Sequence, residues 1–198
     1  IQKEILIKYS LEKEKYFFYP AQFWTHKNHY NLIISFIEFL KIHPNYKLVF
    51  TGSDKGNLNY LKNIINENDM ENKVLILGFV EKDALYSLYK NASALIMPTF
   101  LGPTNMPLIE ALELECPVLC SDFEGHREIL ENCALYFNPA NTDEIYEKMI
   151  DIINPDFRQK MKILLEKRIE NNLFTIDNAI KAIENNLLEI ISIRNCWE

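Results

Sequence analysis

With 198 residues, of which 48% are hydrophobic and 25% charged, the chain has an ordinary globular composition, enough for one generous core or at most two small ones. A net charge of −7 with no cluster of Lys or Arg sets a repulsive field against a nucleic-acid backbone and excludes that class of partner. The longest apolar stretches, such as "LIISFIEFL", are too short to span a bilayer and are broken by Ser35 and Glu38, and the N-terminus carries no signal-peptide pattern, so a cytoplasmic chain is expected.

The first fifteen residues, "IQKEILIKYSLEKEK", are charged and weakly patterned, and the chain opens on Ile1 rather than Met. We read residues 1–15 as a linker or the remnant of an upstream domain, and residues 16–198 as one domain. "YFFYP" then reads as a buried strand, and "NHYNLIISFIEFLKIHP" as a helix with Tyr30, Ile33, Ile34, Ile37 and Leu40 along one stripe. "YKLVFTG" predicts a strand, "NLNYLKNIINENDM" a helix, "KVLILGFV" a strand, "EKDALYSLYKNA" a short amphipathic helix and "SALIMP" a strand stopped by Pro98. "MPLIEALELE" is a helix with Pro107 in its first turn, where a missing N–H costs nothing. "PVLCSD" is a strand, "GHREILEN" a helix and "ALYFNP" a last strand. Beyond Pro139 three helical segments follow, the first with Thr142 and Asp143 as N-cap candidates and Glu144 adding negative charge to its first turn. Cys116, Cys120, Cys133 and Cys196 have neither zinc-site spacing nor the density of a disulfide scaffold, and read as buried reduced thiols.

Near-continuous apolar strands alternating about six times with helices predict an α/β fold: a doubly wound, Rossmann-like parallel sheet of about six strands flanked by helices, with a helical C-terminal segment. Right-handed crossovers put every strand-to-helix loop at the carboxyl edge, where ligands bind in this architecture. Those loops are "PAQFWTHKN", "TGSDKGN", "GFVEKD", "PTFLGPTNM" and "SDFEGHRE". Lys27 lies just before a helix whose free N–H groups can face the same anion, and Thr104, Asn105 and Met106 precede another, offering hydroxyl, amide and backbone donors. Two helix starts facing one crevice favour a diphosphate. His26 and His29 lack an obvious third ligand for a metal, and "TGSDKGN" is neither G-x-G-x-x-G nor a Walker loop.

Glu110 stands one turn into the helix after "GPTN", among Leu108, Ile109, Ala111 and Leu112, which read as buried. A carboxylate there needs a partner. It either caps amides or meets an arginine, or it accepts hydrogen bonds from two vicinal hydroxyls such as those of a ribose.

From about Tyr16 to Ile191 the chain resembles the C-terminal, donor-binding domain of a GT-B-fold glycosyltransferase of the large retaining family four. The most specific stretch is "MPTFLGPTNMPLIEALELECPVLCSDFEGHREIL", supported in order by "YPAQFWTHKNHYNLI", "LVFTG" and "VLILGFVEKDALYSLYKNASALIMP". The resemblance implies a nucleotide diphosphate sugar of the UDP or GDP type as donor substrate, with Glu110 on the ribose, backbone N–H groups of Thr104 to Met106 and adjoining Pro103 on the phosphates, and Lys27 neutralising the leaving diphosphate. It implies that Gly78 to Val80, including Phe79, border the base together with Leu85, that the turn at Thr51 and Gly52 lines the cleft, and that Gln22 and His26 assist at the phosphates. No DxD-type motif is evident, so neither a metal nor another cofactor is expected.

Two positions depart from the family pattern. Gly102 stands where the first of two glutamates is usual, and Ala21-Gln22 replaces Gly-Arg, leaving an amide where a second cation normally meets the phosphates. Together, "PAQFWxHKNH" and "GPTN" resemble a subgroup with a coherent variant site. The implied reaction is sugar transfer to an acceptor hydroxyl with retention of configuration. The acceptor, a glycan or lipid-linked glycan, sits in an N-terminal domain missing here, and the full-length enzyme is placed peripherally at the inner face of the membrane. A sugar-nucleotide epimerase of the same architecture and a catalytically degenerate scaffold domain are the competing readings.

Overall fold

The computed structural model describes residues 2–102, 106–170 and 176–195. Six strands, β1 (Tyr16–Pro20), β2 (Lys47–Thr51), β3 (Val74–Ile76), β4 (Ala94–Met97), β5 (Val118–Ser121) and β6 (Ala134–Phe137), form one sheet in the order β3-β2-β1-β4-β5-β6, with every pairing parallel. Around it lie α1 (Gln2–Lys8), α2 (His29–Ile42), α3 (Leu58–Glu67), α4 (Lys82–Asn91), α5 (Met106–Glu113), α6 (Glu124–Leu130), α7 (Thr142–Ile153), α8 (Pro155–Glu170) and α9 (Ile176–Asn195). The doubly wound fold expected from the sequence is the one observed.

The central strands are buried without alternation, β4 and β5 at every residue, because helices cover both faces. Phe17 meets Phe36 and Phe39 of α2, whereas Phe18 meets Tyr89 of α4 edge to face at 5.0 Å. Successive strand side chains point to opposite faces, so α2 and α4 cover opposite sides of the sheet. Cys116, Cys120 and Cys133 are buried free thiols, as expected; Cys196 lies outside the described residues.

Four local expectations are refined. The stripe of α2 is rotated: Leu32, Ile33, Phe36, Phe39 and Leu40 are buried, and Tyr30 is exposed. This helix is apolar nearly all round, so periodicity left its inner face ambiguous. The aromatic floor at Phe17 chose it, and Ser35 is accommodated because its hydroxyl donates to the Asn31 and Thr142 carbonyls. The third strand spans only Val74–Ile76, since Gly78 turns into the left-handed region at φ 67° and ends the ladder. The N-cap of α7 is Asn141, one residue earlier than expected; its side chain accepts from the Asp143 and Glu144 N–H groups. Finally, the residues before β1 contain α1, and Leu6, Tyr9 and Leu11 pack on the core.

Candidate functional site

The strand order reverses between β1 and β4, and ligands in open α/β sheets bind outside the carboxyl ends of the strands at that switch point. A crevice of about 260 Å³ lies there. Its lining includes Gln22, Gly52, Phe79, Val80, Leu85, Met106 and Glu110, seven of the residues singled out from the sequence. A larger concavity, about 650 Å³, sits at the amino ends of the strands among Lys13, Glu14, Lys90 and Arg158. Arg158 there is engaged with the Ser93 and Ala92 carbonyls and with Glu14, so it serves as a structural clamp at the edge the fold does not use for ligands.

Glu110 owes its position to the short helix α5, whose Leu108, Ala111 and Leu112 are buried in the core and turn the carboxylate toward the crevice wall. The partner that a half-buried carboxylate requires is neither an amide cap nor an arginine. The Tyr89 hydroxyl donates to Glu110 Oε2 at 2.6 Å. Burial, reinforced by the neighbouring carboxylate, pushes the Tyr89 phenol far above its ordinary value, so it remains a donor at any physiological pH. The bond occupies one carboxylate oxygen and restricts rotation about the terminal bond. Among the described residues the other oxygen has no partner, which suits a group that receives a ligand's hydroxyls.

The wall opposite is built by extending the β1–β2 ladder past the strands. The Ala21 N–H donates to the Thr51 carbonyl at 2.9 Å, the Phe23 N–H to the Ser53 carbonyl at 3.0 Å, and Phe23 bridges Asp54 in parallel. Gly52 lies in this seam at φ 141° and donates to the Gly78 carbonyl at 2.9 Å; a Cβ there would stand 2.4 Å from the Ala21 carbonyl oxygen. Glycine is required because the loops after β1 and β2 approach at backbone contact.

A 3₁₀ turn, Thr25–Lys27, then leads into α2 through Asn28, which adopts φ 57° and ψ 38°. Asn28 is buried, and its amide donates to the Pro98 carbonyl at 2.9 Å and the Pro139 carbonyl at 2.7 Å. The Phe100 N–H and Thr99 hydroxyl both donate to the His26 carbonyl, and the Tyr19 hydroxyl to the Lys27 carbonyl. The turn is thereby fastened to the ends of β1, β4 and β6. Burial lowers the pKa of Lys27, and slight burial followed by the Lys27 cation lowers that of His26. His126, in α6, also has a lowered pKa, chiefly from burial; its ring is held on the Ser121 carbonyl at 2.6 Å and feels the Lys27 charge.

Lys27 and His26 sit on the loop adjoining the crevice and are not part of its lining, and neither is Gly102. Pro103, Thr104 and Asn105 lie outside the described residues. His29 is fully buried among Tyr19, Phe23 and Phe50, with centroid distances of 4.8, 4.8 and 5.0 Å, and neither ring nitrogen completes a hydrogen bond. It packs as an aromatic ring and is not a surface ligand beside His26. Among the described residues no three His, Cys, Asp or Glu side chains converge as a metal site.

Sequence reasoning missed Tyr89 and Asn28. Tyr89 lies 21 residues before Glu110, a pairing no local pattern reveals. Asn28 carried a usable signal, since Asn is among the residues that tolerate the left-handed conformation where one element turns into another.

Across residues 2–171 the chain matches the sequence model of the family "Glycosyl transferases group 1". The chain belongs to that family. The chain is 34% identical over 129 residues to the O-antigen chain mannosyltransferase RfbU of Salmonella typhimurium, an alignment covering 65% of the chain and 35% of the relative. It is 31% identical over 137 residues, 68% of the chain and 34% of the relative, to an uncharacterized glycosyltransferase of Methanocaldococcus jannaschii. The chain thus spans about a third of the length of these curated relatives. Among solved structures it superposes on sucrose-phosphate synthase from Thermosynechococcus elongatus with a TM-score of 0.80 at 17% identity, covering 96% of this chain and 49% of that one. It superposes on the C-terminal domain of a glycosyl transferase group 1 family protein from Francisella tularensis with a TM-score of 0.74 at 16% identity, covering 87% and 92%. The resemblance to the GT-B glycosyltransferases read from the sequence is borne out.

Proposed function

We propose that this domain is the donor-binding half of a retaining glycosyltransferase. It holds a nucleoside diphosphate sugar at the carboxyl-edge crevice while an acceptor hydroxyl approaches from a second domain. The observation that carries the reading is Glu110, a carboxylate anchored by Tyr89 on the wall of the switch-point crevice. Its unpartnered oxygen suits the vicinal hydroxyls of a ribose, because an ionised acceptor takes two O–H donors at short range. Gly78, Phe79, Val80 and Leu85 border the base on the other side, and Gly52 lines the cleft. The correspondence to a solved C-terminal domain over most of that domain's length supports the assignment to this half.

Cleaving the bond between the anomeric carbon and the diphosphate develops charge on the leaving group. The Lys27 cation and the N–H groups preceding α5 at Thr104 and Asn105 stabilise that charge, and preorganised donors in a partly dry site lower such barriers most. In this proposal these donors carry the electrostatic role. The names of the relatives point to mannose as the sugar and to cell-surface glycan as the product. The base is that of a UDP or GDP donor, and the acceptor is a glycan or lipid-linked glycan. Among the described residues no helix is long and apolar enough to cross a membrane, and the enzyme is proposed to work in the cytoplasm at the inner face of the membrane.

The test is a titration of the 198-residue chain with UDP, GDP, ADP and their sugar conjugates by calorimetry or ligand-observed NMR, repeated on Glu110→Ala. One nucleotide should bind saturably, and Glu110→Ala should weaken it by about 1–3 kcal/mol. A folded chain that binds none at millimolar concentration overturns the reading in favour of a scaffold domain.

A further inference from the structure

Gln22 presents a stereochemical problem. It lines the crevice with Gly52 and Glu110, and among the described residues it is the only lining side chain that carries an N–H donor. A carboxamide can turn either end toward a ligand, and the two ends have opposite effects on an anion. In this structure the ambiguity is removed by Trp24. Its indole Nε1–H donates to Gln22 Oε1 at 3.0 Å. An indole N–H is a donor and nothing else, so the bond forms only with the amide oxygen facing Trp24. The Gln22 NH₂ group is then the end turned away from the indole.

The backbone dictates this pairing. Phe23 continues the β1–β2 ladder onto the Ser53 carbonyl, and the Trp24 N–H then donates to the Gln22 carbonyl at 2.8 Å, closing a tight turn across Phe23. Phe23 is fully buried, while Gln22 and Trp24 are exposed and drawn together by that turn. The indole is itself held: it stacks on the His26 ring at 6.1 Å with 24° between planes, and the Lys55 ammonium lies 5.9 Å from its centroid. Two further groups from both loops thus hold the indole in place.

We propose that Trp24 is a positioning residue that makes Gln22 an obligate donor toward the diphosphate of the bound nucleotide. It acts through Gln22, without itself touching the phosphates. The inference rests on the donor-site reading above. The loop carrying the pair runs directly into Lys27, so amide and cation address the same end of the ligand, while Glu110 addresses the ribose. A neutral donor with fixed polarity replaces part of what a second cation would supply, and it does so without a charge that must be desolvated.

The test compares nucleoside with nucleoside diphosphate, because only the phosphate increment should respond. Binding of uridine, UDP, guanosine and GDP to the 198-residue chain is measured by ligand-observed NMR for the wild type, Trp24→Phe, Gln22→Met and the double variant. Trp24→Phe keeps an aromatic ring beside His26 and removes the N–H donor. It should weaken the diphosphate of the preferred base about three- to tenfold, the loss of one oriented hydrogen bond, and leave the nucleoside unchanged. Gln22→Met should do the same, and the double variant should be no weaker than Gln22→Met alone, since the two residues act as one unit. Unchanged diphosphate affinity in Trp24→Phe, an equal loss for nucleoside and diphosphate, or multiplying losses in the double variant would each overturn the proposal. If Glu110→Ala weakens nucleotide binding and Trp24→Phe leaves the diphosphate affinity unchanged, only this inference fails; if the wild type binds no nucleotide, the donor-site reading fails with it.

Discussion

Replacing Tyr89 with Phe isolates the bond on which the site depends. The ring of Tyr89 is buried, stacked edge to face on Phe18, and would remain; what disappears is the O–H that donates to Glu110 Oε2 at 2.6 Å. A hydrogen bond to a charged group contributes about 1.5–3 kcal/mol. Glu110 is only half-buried, so water recovers part of the loss and about 1–2 kcal/mol remains. At 2–4 °C per kcal/mol for a chain of this size, thermal unfolding should fall by about 2–8 °C. The binding consequence is separate. Without Tyr89 the carboxylate turns freely and must be reordered by the ligand, weakening ribose-bearing nucleotides by about two- to tenfold, while 2′,3′-dideoxy nucleotides bind the variant and the wild type alike. Calorimetry on both ligand types, with thermal melts by circular dichroism, gives both numbers. A melt within 1 °C of the wild type, on the scale of about 2–4 °C per kcal/mol, together with unchanged affinity for the ribonucleotide, would refute the role given to Tyr89.

Gly52→Ala should destabilise by about 2–4 kcal/mol, because its Cβ meets the Ala21 carbonyl oxygen at 2.4 Å and backbone cannot yield as a flexible side chain can. Gly78→Ala, with open space around its Cβ at φ 67°, should cost only about 1 kcal/mol; urea midpoints of the two variants should differ accordingly, and equal midpoints would contradict the close approach of the two loops. The pH dependence should carry the signature of His29, whose pKa burial lowers from 6.5 to about 3. The unfolded chain takes up this proton below 6.5 and the folded protein does not until about 3, so the contribution is complete above 6.5 and is lost as pH falls toward 3. His29→Leu should remove it: between pH 6.5 and 4.5 the wild type should lose about 2–3 kcal/mol more than the variant, and parallel losses would show that the ring is not buried neutral.

Much of the wall of the candidate site was legible in the chain because glycine, turn and helix-start signals are local. The strand ending at Thr51 and Gly52 and the helix carrying Glu110 are both legible in the sequence, whereas the turn at Gly78 is hidden inside "KVLILGFV", which reads as unbroken strand. The aromatic strands and apolar helices likewise declared a parallel sheet, since both kinds of element must be covered on the face that period and composition expose. Where the sequence misled, several arrangements satisfied the same local rule. A helix apolar all round left the inner face of α2 open, and Thr142 and Asp143 offered caps as plausible as Asn141.

Other assignments were beyond any local rule. That His29 is a packed ring and not a companion of His26 followed from Phe23 and Phe50 closing over it, on segments 6 residues before it and 21 after it. The partner of Glu110 came from a different helix, and the polarity of the Gln22 amide from an indole two positions on, whose direction was set only when the loops after β1 and β2 zipped together. Chain order and hydrophobic pattern determined the architecture and which edge holds the crevice, because those depend on periodicity and connection handedness. Which oxygen of Glu110 is held, which end of Gln22 is presented and which histidine is silenced were decided by tertiary structure, because hydrogen-bond direction and burial exist only between segments brought together by the fold.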